Sequence, residues 1–160
     1  KPRQVNTPAG FFLADAQRYN HAMNEPMIII YDLSQAKAAL NAAAQCGRQI
    51  ILLSPPETSA ATGPGIFAET IALARKSHGE ALAGALFDCG QEAGQALAAI
   101  RRGGCGIVID LPAETATGIK DIASQSNVTV IEKIDGPVLD LATVADTTSS
   151  VTHFLESNPP

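Results

Sequence analysis

Asp32, Asp88 and Asp110 each stand at or near the end of a short apolar run of the kind that forms a buried strand. Gathered carboxylates have two chemical uses. As hard oxygen ligands they hold Mg²⁺, Mn²⁺ or Ca²⁺, and as close neighbours they raise one another's pKa until one serves as a proton donor. Each also has a structural use, because an aspartate at a strand-to-helix junction accepts a hydrogen bond from the first turn of the helix that follows. The spacing of the three leaves both uses open.

Other residues could serve the same site. Cys89 and Gly90 follow Asp88 at the mouth of an expected helix, where the dipole could lower a thiol pKa and give a nucleophile or a soft metal ligand. No base is adjacent in sequence, so a buried and inert thiol is the competing expectation. Glu132 and Lys133 lie near the end of a fifth apolar run, and Lys133 would form a Schiff base if an apolar pocket desolvated it, or simply face solvent. Gly63 and Gly65, in the stretch Thr62-Gly63-Pro64-Gly65, could leave backbone N–H groups free for a phosphate or carboxylate, or belong to a lid or ordinary loop. That stretch lacks the P-loop lysine and the dinucleotide glycine spacing. His21, His78 and His153 are far apart and show no metal-site spacing.

The elements that must position these residues are legible as a ladder. Apolar runs at 27–32, 49–54, 84–89, 106–111 and 128–133 start about 22, 35, 22 and 22 residues apart, each followed by an alanine-rich helical pattern. Parallel strands need a helical crossover of about a dozen residues or more, so this spacing predicts a three-layer α/β/α domain with about five parallel strands. A flavodoxin-like open sheet of order 2-1-3-4-5 is preferred, with an incomplete barrel as the alternative. In that order the first, third and fourth strands are neighbours, and the three aspartates share the carboxyl rim where ligands of such sheets bind.

The 160 residues, 46% of them hydrophobic, fit a single domain. Within it, 1–10 reads as a flexible arm, 11–24 as an amphipathic helix, 27–134 as the ladder and 138–157 as a C-terminal helical segment, with short helices at 139–146 and 151–156. Along the ladder, Ala36, Leu40, Ala43 and Ala44 would face the sheet, as would Phe67, Ile71 and Ala74, then Ala93, Leu97 and Ile100, then Ile119, Ile122 and Ala123. An open or incomplete sheet leaves edges to cover, so a homodimer is expected, through Phe12, Tyr19 and Met23 or through Val151, Phe154 and Leu155.

A net charge of −5 and the absence of a basic run argue against a nucleic-acid surface. Arg101 and Arg102, an adjacent basic pair, complement the carboxyl-end dipole of a helix. No apolar stretch approaches the ~20 residues that span a bilayer, and no secretory leader pattern opens the sequence. Cys46, Cys89 and Cys105 form neither an even framework nor a CxxC pair. A cytoplasmic protein with reduced thiols is expected, and a start at Lys1 rather than Met is expected of a processed or truncated form.

The stretch ALFDCGQEAGQALAAIRRGGCGIVIDLP, residues 85–112, resembles the central part of class II, metal-dependent fructose-bisphosphate aldolases. In that family a strand ends in Asp-His-Gly, a helix leads to an Ala-Ile-x-x-Gly turn, and the next strand ends in Ile-Asp. A weaker similarity extends back over 39–54. The resemblance implies that Asp88 stands where the family has its catalytic aspartate and Cys89 where it has a metal-binding histidine, a departure that removes one ligand. It covers about five of the eight βα units of the family's barrel.

Two functions follow. The first is a ligand-binding or regulatory domain for a small polar molecule, with its site at the strand carboxyl ends. The second is a small lyase or hydrolase, a degenerate aldolase relative, in which Asp32, Asp88 and Asp110 hold a divalent metal ion or share acid–base work.

Overall fold

The computed structural model describes residues 23–56 and 62–160. The helix expected at 11–24 and most of the loop before the second helix lie outside the described residues. The chain is α/β, and its described residues form a single open parallel sheet of six strands with five α-helices. In chain order these are β1 (Met27–Ile29), α1 (Leu33–Gln45), β2 (Ile50–Leu53), α2 (Gly63–His78), β3 (Leu82–Gly90), α3 (Ala93–Arg102), β4 (Gly106–Ile109), α4 (Ala113–Gln125), β5 (Val130–Ile131), β6 (Val138–Asp140) and α5 (Thr147–Ser157). No described helix is long and apolar enough to cross a membrane.

Local chemistry sets the boundaries. The Asp32 carboxylate accepts the Gln35 N–H at 2.8 Å and starts α1. Gly47, at φ 64°, ends it by donating to the Ala44 carbonyl at 3.0 Å, while the Arg48 N–H reaches the Ala43 carbonyl at 2.9 Å. Pro64 in the first turn of α2 costs no hydrogen bond there, since its missing N–H would have had no partner within the helix.

The strands run in the order β5-β4-β3-β2-β1-β6, all parallel. This corrects the 2-1-3-4-5 order: winding from β1 to β5 never reverses, so β2 separates β1 from β3. A flat version of such a sheet is impossible. Its edges would lie roughly 24 Å apart at about 4.8 Å per strand. The pairing registers also place Val138 four residues back along the strand direction from Ile131, roughly 13 Å more. The seven Cα steps from Ile131 to Val138 reach about 25 Å at most, against the roughly 27 Å needed. The sheet therefore curls, and the connection takes the short chord across its concave side, where Ile134 packs against the apolar face.

Both faces of the sheet carry buried apolar residues. On the convex face Ile28, Leu52, Phe87 and Ile107 meet the apolar sides of all five helices in one cluster. Phe87 packs against Phe67 of α2 with ring centroids 5.8 Å apart. On the concave face Met27, Ile29, Ile51, Leu53, Leu86, Val108 and Ile131 form a second cluster to which, among the described residues, no helix contributes. Each fully buried Leu, Ile, Met or Phe stabilises the fold by about 1.5–3 kcal/mol relative to exposure.

Several expectations change in detail. Residues 138–140 are an edge strand rather than part of a helix: they pair in parallel with Met27–Ile29, and the Pro137 carbonyl accepts the Met27 N–H at 3.1 Å. The last helix runs Thr147–Ser157, started by Asp146. Val151 and Leu155 are buried inside the chain, so they are not an exposed dimer patch. Of the other stripe, Phe12 and Tyr19 lie outside the described residues and Met23 packs on the concave cluster. Ile122 is 43% exposed, while Ala116 takes an inward position one turn before Ile119. In α3, Ala96 and Ala99 are buried with Ile100, and Ala93 and Leu97 are only half-buried.

Candidate functional site

Strand alternation decides which aspartates can meet. Side chains along a strand point alternately to the two faces. In β3, Leu86 belongs to the concave cluster while Phe87 and Cys89 belong to the convex one, which puts Asp88 on the concave side. In β4, Val108 is concave and Ile109 convex, so Asp110 falls on the concave side too. Asp32 has the other parity. Ile29 is concave and Ile30 convex, placing Tyr31 over the concave face and Asp32 toward the helices.

Asp88 and Asp110 are joined through one glycine. The Gly90 N–H donates to Asp88 Oδ1 at 2.9 Å, and the Gly90 carbonyl accepts the Asp110 N–H at 2.8 Å. The β3–β4 register shifts between Asp88 and Gly90, and Gly90 takes φ 50°, a left-handed conformation that glycine adopts without steric cost. Gln91 Nε2 donates to Asp110 Oδ2 at 3.3 Å. Behind the pair, Ser54 at the end of β2 is 1% exposed, and its Oγ accepts the Asp88 N–H at 2.7 Å. That bond fixes the end of β3 against β2 where the ladder has run out.

Neither Asp88 nor Asp110 is the cap of the helix that follows it. The caps of α3 and α4 are Glu92 and Pro112, and neither makes a side-chain capping bond. Asp32, in contrast, is spent as the cap of α1. It also stands on the far side of β2 from Asp88. The three aspartates therefore do not meet as one constellation: two are brought together and the third is held apart by a strand. Among the described residues no group of three His, Cys, Asp or Glu side chains is placed to hold a metal ion.

The remaining candidates fall away from the pair for physical reasons. Cys89 is buried on the convex face, its Sγ 3.7 Å from the Phe87 carbonyl. Burial, with the Asp88 charge beside it, pushes its thiol up to about 12, which corrects the expectation of an activated nucleophile or soft ligand. Lys133 is exposed and pairs with Asp135 at 2.7 Å; the hydrogen bond and charge of Asp135 raise its pKa, opposite to what a Schiff-base lysine needs. Glu132 pairs with Lys120 of α4. Gly63 and Gly65 form the first turn of α2, with Gly63 at φ 63°.

Sequence reasoning missed four rim residues. Ser54 is one, visible only as a hydroxyl closing an otherwise apolar strand. Gln91 is another, and it matters only because β3 and β4 are neighbours. Tyr31 and Asp140 form the third and fourth: the Tyr31 hydroxyl donates to Asp140 Oδ2 at 3.4 Å, and its pKa is raised by partial desolvation and by that carboxylate. Gln35 ties the same corner together, accepting the Tyr31 N–H at 2.8 Å and donating to the Leu141 carbonyl at 3.2 Å. No family model and no curated protein matches the chain.

Proposed function

We propose that the protein binds a small polar molecule at the carboxyl ends of β3 and β4, with Asp88 and Asp110 as the recognising groups. The observation that carries this reading is the Asp88–Gly90–Asp110 unit. It holds two acceptor side chains over the concave face, next to the Gln91 amide, and neither is committed to starting a helix. Such a rim suits a ligand rich in O–H or N–H donors, a polyol or an amine, because ionised carboxylates accept hydrogen bonds and donate none. The raised thiol of Cys89 and the ion-paired ammonium of Lys133 favour binding over covalent chemistry. Three free cysteines fit a reducing, cytoplasmic setting, and a net charge of −5 fits a partner other than nucleic acid.

Calorimetric titration of polyols and amines into the wild type, Asp88→Asn, Asp110→Asn and Asp32→Asn tests this. The expected result is a Kd raised about tenfold or more, or about 1.4 kcal/mol, in the first two variants and unchanged in the third. Equal weakening in all three, or binding indifferent to Asp88 and Asp110, would overturn it.

A second reading keeps the same two aspartates and gives them acid–base work in a small lyase or hydrolase, with or without a divalent ion. The unreversed winding from β1 to β5 favours it, since a shortened relative of an aldolase-like barrel would wind that way. Elemental measurement of metal in the purified protein separates the readings. Stoichiometric metal lost from folded Asp88→Asn and Asp110→Asn would displace the first by the second.

A further inference from the structure

We draw no further inference here: the strongest candidate, the outer edge of β6 around the 40% exposed Val138, is a strand edge with no pairing strand among the described residues, and nothing in the structure shows what covers it.

Discussion

Between β1 and β6 the rim carboxylates hold helix starts and turns, whereas between β3 and β4 the Asp88 carboxylate accepts the Gly90 N–H and the Asp110 carboxylate accepts the Gln91 side-chain amide. Asp32 caps α1, Asp140 Oδ1 accepts the Ala142 N–H at 2.8 Å, and Asp146 caps α5 through Ser149. The Asp88 and Asp110 side chains instead attach to Gly90 and Gln91. The residue type is the same on both sides, so type does not set the role. Two other quantities do. One is parity along the strand, which turns Asp32 toward the helices and Asp88 and Asp110 toward the concave face. The other is distance to the next helix: α1 starts one residue after Asp32, α3 five after Asp88 and α4 three after Asp110. A capping aspartate must stand directly before the first turn, and only Asp32 of these three does.

The largest expected effect tests the parity assignment on β3 itself. Raising a thiol from 9.0 to about 12, as burial does for Cys89 and Cys105, lowers its thiolate share at neutral pH about a thousandfold. Alkylation followed by peptide mass spectrometry should therefore find both cysteines about a thousandfold slower in the native protein than in the urea-unfolded chain. Rapid native labelling of Cys89 would put its thiol on the rim and dissolve the contrast between Asp88 and its neighbour. Next in size is Ser54→Ala, which leaves the Asp88 N–H without its 2.7 Å acceptor at a buried site. A loss of about 1–3 kcal/mol by urea denaturation is expected. A loss under about half a kcal/mol would mean that the strand ladder alone secures the end of β3.

How much of this was legible depended on the length of each apolar run. The first four ladder strands could be read because each carries several successive buried residues, the pattern a two-sided strand requires, and the fifth from its apolar Val128, Val130 and Ile131. β6 could not, because three half-exposed residues after a proline carry no periodicity. The strand order was not legible either. Right-handed crossovers allow both 2-1-3-4-5 and unreversed winding, and the deciding evidence is the pairing of β2 with both β1 and β3. Once the order is known, the meeting of Asp88 and Asp110 follows, and so does the separation of Asp32. The Ser54 contact depends on β2 and β3 being neighbours, which residue spacing does not encode.

Smaller effects separate capping from recognition. Asp32→Ala removes the bond to the Gln35 N–H and should cost about 1 kcal/mol, while Asp32→Asn, which caps as well, should cost little. Asp110→Ala should stay within about 0.5 kcal/mol of the wild type, since Pro112 occupies the cap position of α4. A cost for Asp110→Ala equal to that of Asp32→Ala would erase the distinction between the two sides of the rim.

The smallest expected effect is a pH dependence confined to the β6–α5 corner. Asp146 lies below its ordinary pKa because the Ser149 hydroxyl, at 2.7 Å, and the Ser149 N–H, at 3.4 Å, both donate to its carboxylate. A carboxyl whose folded pKa is depressed contributes stability that is fully present above its unfolded pKa and is lost as pH falls through the folded value. The window is therefore acidic, below the ordinary carboxylate range, and neutral pH should show no trend from this group. Asp146→Asn retains a capping side chain but has no charge to lose. The wild type should thus exceed the variant in thermal midpoint by a small margin at pH 7, and the two should converge as the pH drops below about 4. A constant gap down to pH 2 would show that the carboxylate's charge contributes nothing at this helix start, leaving only the neutral geometry of the cap.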